Sequence, residues 1–100
     1  MTEKIIVEVD QDLEDLIPLF ISTREKDMAG LATGLAAGDF TALRMIGHSM
    51  KGAGGAYGFD PVSTIGGVIE TAALASDAAT IHTQLAALRD YLARIEIKYV

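Results

Sequence analysis

The segment Leu43–Phe59, LRMIGHSMKGAGGAYGF, concentrates residue types that could do chemistry. It holds one imidazole, His48, two cations, Arg44 and Lys51, and glycines at 47, 52, 54, 55 and 58. Each glycine inside a helix costs about 1 kcal/mol relative to alanine. A helix made from this segment must therefore put the missing side chains to use. A phosphate-cradling loop does not fit. The P-loop pattern needs glycine, lysine and then Ser/Thr, whereas Lys51 precedes Gly52 and Ala53. The dinucleotide pattern needs glycine where Tyr57 stands, and no strand leads into the segment.

Placed on a helix at about 100° per residue, Phe40, Leu43, Ile46, Met50, Ala53, Gly54 and Tyr57 fall opposite His48 or toward that side. Thr41, Arg44, Met45, Lys51, Gly52 and Gly55 fall within about 60° of it. The apolar stripe faces a core, so His48 faces solvent. The imidazole then sits in a bare patch between Arg44 and Lys51, in a chain with 8 basic and 14 acidic residues and a net charge of −6. Such a patch suits a nitrogen that accepts a phosphoryl group from a bulky protein donor. Gly52 lets the donor come close, and Lys51 offsets charge on the phosphoryl oxygens.

The elements that must position this patch follow from periodicity and punctuation. Residues 1–10 carry the β-branched run Ile5-Ile6-Val7 and are predicted to be an extended arm, not a sheet. Asp10 or Asp12 caps a short helical turn, and Pro18 starts a helix running to about residue 37. Its apolar row is Phe20, Ile21, Met28, Leu31 and Leu35, and Arg24 interrupts it. Gly30, Gly34 and Gly38 are spaced by four, either for close approach of a neighbouring helix or as a small-residue side. Gly38-Asp39 reads as stop and start. The second helix runs to about Gly58, which ends it before Phe59. Asp60-Pro61 opens the third, with the acid as N-cap, and Ser76-Asp77 caps the fourth. Ile81, Leu85, Leu88, Leu92, Ile95 and Tyr99 then repeat at 4-3-4-3-4, a seam for helix-on-helix packing. Short connections make neighbours antiparallel. The fold class is all-α: an up-down-up-down four-helix bundle over 11–100 with a short extra N-terminal helix.

Composition narrows the function classes. One hundred residues give one domain. With no cysteine there is no disulfide scaffold, cysteine-ligated metal or thiol nucleophile. The acidic balance argues against nucleic acid as the main partner. No stretch without Asp, Glu, Lys or Arg is longer than Met28–Gly38, which is short of a membrane span. MTEKIIVEVD does not read as a signal peptide, so a cytoplasmic location is expected. His82 reads as a bundle-edge histidine, not a ligand. The acidic run Glu8-Asp10-Asp12-Glu14-Asp15 lacks the spacing of a calcium loop and reads as a capped helix start with a solvated face. Tyr57 projects toward the core.

His48, Ser49, Met50, Lys51, Gly52, Ala53 and Gly58 resemble the motif of the histidine-containing phosphotransfer (HPt) domain of multistep two-component signalling. That pattern is histidine, any residue, a hydrophobic residue, lysine, glycine and a small residue, with a further glycine ten after the histidine. Met50 stands where leucine is usual and Ala53 where serine is usual. The resemblance covers most of the chain. It implies that His48 takes a phosphoryl group on Nε2 from a phosphoaspartate of a response-regulator receiver domain and passes it to another. It also implies a partner docked over the histidine helix and the helix before it, with Thr41, Arg44, Met45 and Gly55 among the contacts beside Lys51 and Gly52. The aspartate and its magnesium would belong to the partner, leaving the chain with no cofactor or nucleotide site of its own. A hybrid sensor histidine kinase is the other implied partner. The chain is expected to be a monomeric carrier and not an independent enzyme. The rival is a helical-bundle adaptor that binds a receiver domain or sensor kinase without phosphorylation. Residues 1–100 read as a complete unit, the alternative being the phosphotransfer domain of a larger kinase, such as a chemotaxis kinase.

Overall fold

The computed structural model describes residues 3–100. Asp10 opens the first turn: its Oδ1 accepts from the Asp12 N–H at 2.8 Å, and a 3₁₀ helix follows over Gln11–Leu16. Pro18 lies in the first turn of α1 (Ile17–Ala37), where its fixed φ suits the helix and its missing N–H costs nothing. Gly38 ends α1 at φ +65°, a left-handed backbone that a Cβ would disfavour. Asp39 caps α2 (Phe40–Ala56) by accepting from the Ala42 N–H at 3.0 Å. The chain turns through Gly58 at φ +87° into α3 (Asp60–Leu74). Asp60 is the first residue of α3 and not its cap, which is Phe59 without a side-chain bond. Asp77 caps α4 (Ala78–Arg94), accepting from the Thr80 N–H at 3.1 Å.

Two strands, β1 (Ile5–Val9) and β2 (Ile95–Tyr99), pair in parallel, with Ile5 opposite Ile95 and Val9 opposite Tyr99. This corrects two expectations. The N-terminal run is not a free arm, and the α4 seam stops at Leu92 because Ile95 and Tyr99 belong to β2. The physical reason is visible in Ile95-Glu96-Ile97-Lys98, which alternates apolar and charged with the period of a strand. Residues four apart share a face in a strand as well as in a helix, so the step from Ile95 to Tyr99 could not tell the two apart. β-branched residues in both segments favour the pleated pairing.

The four helices enclose one core. Phe20 and Leu31 of α1, Leu43 and Met50 of α2, Val62 and Ile69 of α3, and Ile81 and Leu88 of α4 are buried together, with Val7 and Val9 of β1. Phe59 is fully buried and stacks on Phe20, with centroids 4.6 Å apart. Tyr57 is half-buried, its ring 5.1 Å from that of Phe20. Arg24 breaks the apolar row of α1 yet is only 3% exposed. Its Nε donates to Asp27 Oδ2 at 2.8 Å, and its guanidinium lies 4.7 Å over the Phe20 ring. Its Nη1 has no partner among the described residues. Burial pushes the Asp27 carboxyl above its ordinary value, against the pull of Arg24.

Two of the glycines spaced by four serve close approach. A Cβ on Gly30 would lie 2.9 Å from Ile46 Cδ1, and one on Gly34 2.8 Å from Leu43 Cδ2. Gly38 takes no part in this contact and serves only the turn. Among the described residues, no helix is long and apolar enough to cross a membrane.

Candidate functional site

The glycines of α2 and α3 bring two backbones together. A Cβ on Gly47 would lie 2.7 Å from the Glu70 backbone nitrogen and 2.8 Å from the Gly66 carbonyl. One on Gly66 would lie 2.5 Å from the Lys51 nitrogen and 2.7 Å from the Gly47 carbonyl. One on Gly54 would run into the Ser63 nitrogen and lie 2.8 Å from the Phe59 carbonyl. The cost of these glycines in helix propensity is offset by this contact, which any side chain would prevent.

The contact carries Glu70 of α3 to the histidine of α2. His48 faces solvent as its helical position predicts, with 73% of its side chain exposed. Its Nδ1 lies 2.6 Å from Glu70 Oε2. The hydrogen bond from His48 holds the Glu70 carboxyl below its ordinary value; the nearby charges of His48 and Lys51 add to this, and partial burial opposes it. An ionised carboxylate can only accept, so the proton of this bond sits on Nδ1. In the neutral ring the lone pair is then on Nε2, on the exposed imidazole.

Lys51 completes the group. Its Nζ lies 3.7 Å from Glu70 Oε1, with 60% of the side chain exposed. Gly52, the next residue, has nothing within 4 Å of the position a Cβ would take. The imidazole, the ammonium group and the bare backbone therefore lie within one turn of α2, with the carboxylate of α3 behind them.

The other residues singled out from the sequence divide. Thr41 is exposed and Met45 is 61% exposed on the N-terminal half of α2. Arg44 is half-buried and lies outside the two ion pairs that Glu70 makes with His48 and Lys51. Gly55 is exposed, but its N–H donates to Ser63 Oγ at 2.9 Å, so it borders α3 as well as solvent. His82 is exposed on α4.

Glu70 and Ser63 are the residues that sequence reasoning missed. Both come from α3, and neither stands in a local motif with His48. One signal was available: after Asp60 in its first turn, Glu70 is the only charged residue of α3. A lone carboxylate beyond the first turn of an otherwise apolar and small-residue helix was the feature to follow.

A family model described as Hpt domain matches residues 5–97. No curated protein and no solved structure gives a significant match. The matched span includes the histidine helix, the carboxylate helix, β1 and the first three residues of β2. The chain belongs to the Hpt domain family, the phosphocarrier modules of two-component signalling.

Proposed function

We propose that this chain relays a phosphoryl group between aspartates of receiver domains through a phosphohistidine at His48. One observation carries the reading: an exposed imidazole whose Nδ1 is held 2.6 Å from an ionised Glu70, which leaves Nε2 as the nucleophile. In the transfer, the Nε2 lone pair attacks the phosphorus of an aspartyl phosphate. The bond from phosphorus to the aspartyl oxygen breaks, and the aspartate leaves as a carboxylate. The ring becomes N-phosphorylated and positively charged, with its Nδ1–H still donated to Glu70. Lys51 faces the phosphoryl oxygens and offsets their charge. Gly52 admits the partner's active site. The second transfer reverses these bond changes toward another aspartate.

The receiver domain supplies the aspartate and its magnesium, and the chain acts without a cofactor or nucleotide site of its own. Thr41, Arg44, Met45 and Gly55 extend the docking face around His48. Connections of only Gly38-Asp39, Tyr57–Phe59 and Ala75–Asp77 support an antiparallel order of the four helices. The reading takes the chain as a monomer in the cytoplasm and a hybrid sensor kinase as the upstream partner.

A two-step chase tests the relay. The chain is mixed with a receiver domain carrying labelled phosphoaspartate, purified, and given an unlabelled second receiver. Label passing through the chain to the second receiver is expected. A chain that binds both receivers but never carries label would instead be an adaptor.

A further inference from the structure

One face of α3 holds Lys51 along its length. Ser63, Gly66, Gly67 and Glu70 stand at i, i+3, i+4 and i+7, a single stripe on a helix. The Ser63 hydroxyl donates to the Lys51 backbone carbonyl at 2.5 Å and accepts from the Gly55 N–H at 2.9 Å. That carbonyl and that N–H are the pair an α-helix joins directly. Ser63 thus touches both ends of one rung of α2, in the turn that follows Lys51. Gly66 leaves room for the Lys51 backbone nitrogen, 2.5 Å from where a Cβ would stand. Gly67 lies under the aliphatic stem, its would-be Cβ 3.7 Å from Lys51 Cδ and 3.9 Å from Cγ. Glu70 meets the ammonium group at 3.7 Å.

A lysine on an exposed helix face otherwise samples many rotamers, and its ammonium group is a mobile point charge. Here the carbonyl, the nitrogen, the stem and the amine each meet a different residue of the same stripe. We propose that this stripe is a cradle that fixes the Lys51 ammonium group beside the imidazole before a phosphoryl donor arrives. Ser63 and Gly67 are its positioning residues. The inference rests on the phosphoacceptor reading of His48 and on Lys51 acting toward the phosphoryl oxygens.

The test is a double-mutant cycle on transfer from a phosphorylated receiver domain, following both the rate at saturating receiver and the half-saturation point. Ser63→Ala removes the two hydroxyl bonds and leaves the Lys51 carbonyl and the Gly55 N–H as an ordinary i, i+4 pair of α2, so the fold is expected to be retained. Gly67→Leu puts bulk where the stem lies, at a partly exposed helical position that tolerates it, and stands in should Ser63→Ala fail to fold. Each variant is expected to slow transfer at saturation by at least about tenfold, the scale on which a misplaced charged group is felt, with half-saturation unchanged. Neither is expected to slow Lys51→Ala further. The cradle is overturned if both folded variants transfer at the wild-type rate while Lys51→Ala is slow. It is equally overturned if their losses multiply with that of Lys51→Ala. A Lys51→Ala variant that transfers normally removes the role of Lys51 and the cradle with it, leaving the His48 reading intact. No adduct on the wild type removes the His48 reading itself.

Discussion

His48 Nδ1 and Glu70 Oε2 lie 2.6 Å apart although 22 residues separate them in the chain. The bond ties an exposed ring on α2 to a carboxylate on α3 and leaves Nε2 as the ring nitrogen away from that carboxylate. Removing the carboxylate therefore has a specific consequence. Glu70→Ala is expected to let the ring proton redistribute between its nitrogens and to lower the transfer rate by about tenfold to a hundredfold. Glu70→Gln, which keeps an acceptor oxygen, is expected to lose less. The His48 ring nitrogen shifts, read by NMR alongside the rates, check this. An unchanged tautomer in Glu70→Ala would contradict it.

The same pair sets a pH dependence. The hydrogen bond from His48 holds the Glu70 carboxyl below its ordinary value. Its folded pKa is thus below its unfolded one, so its contribution to stability is present above the ordinary glutamate range and is lost as pH falls through the folded value. Denaturant unfolding of wild type and Glu70→Gln below the ordinary histidine range, between about pH 5 and about pH 3, checks the sign. The gap in favour of wild type is expected to close toward acid. A gap that widens toward acid contradicts the assignment.

Glycines close to each other in sequence are expected to respond oppositely. Gly52 has open space where a Cβ would go, whereas a Cβ on Gly47 would meet the backbone of α3 at 2.7 Å. Gly52→Leu is expected to keep or raise stability, by up to about 1 kcal/mol, while blocking transfer by clash with the partner. Gly47→Ala is expected to cost about 1–3 kcal/mol, because two packed backbones must separate. Thermal unfolding and transfer assays separate the two effects. Full-rate transfer by Gly52→Leu would refute the close-approach role.

Arg24 and Asp27 form an almost buried pair inside the bundle. Arg24→Ala is expected to cost about 3 kcal/mol, because it strands the Asp27 carboxyl and empties the space over Phe20. Replacing both partners by Met and Leu is expected to be near neutral. Urea unfolding of the single and double variants checks this. A double variant as unstable as the single would show that the pair itself stabilises the fold.

His48, Lys51 and Gly52 were legible in the sequence because their relationship is local. One helical turn fixes it, and apolar periodicity says which side faces out. The caps at Asp39 and Asp77 and the stop at Gly38 were legible for the same reason. Glu70 and Ser63 were not, because the relation of α3 to α2 depends on how Gly47, Gly54 and Gly66 let the two backbones meet. The strands were missed because Ile5–Val9 acquires a partner only when Ile95–Tyr99 is brought beside it. A five-residue strand has no stability of its own to announce. Arg24 looked like an error in an apolar row, and only the position of Asp27 and the Phe20 ring gives it a place.

The most direct test is the intact mass of the chain after mixing with a panel of phosphorylated receiver domains, run beside a folded His48→Gln variant. One phosphoryl adduct, labile to acid and stable to base, is expected on the wild type alone. An adduct that persists in His48→Gln, or a wild type that binds a receiver and gains no mass with any donor, would contradict it.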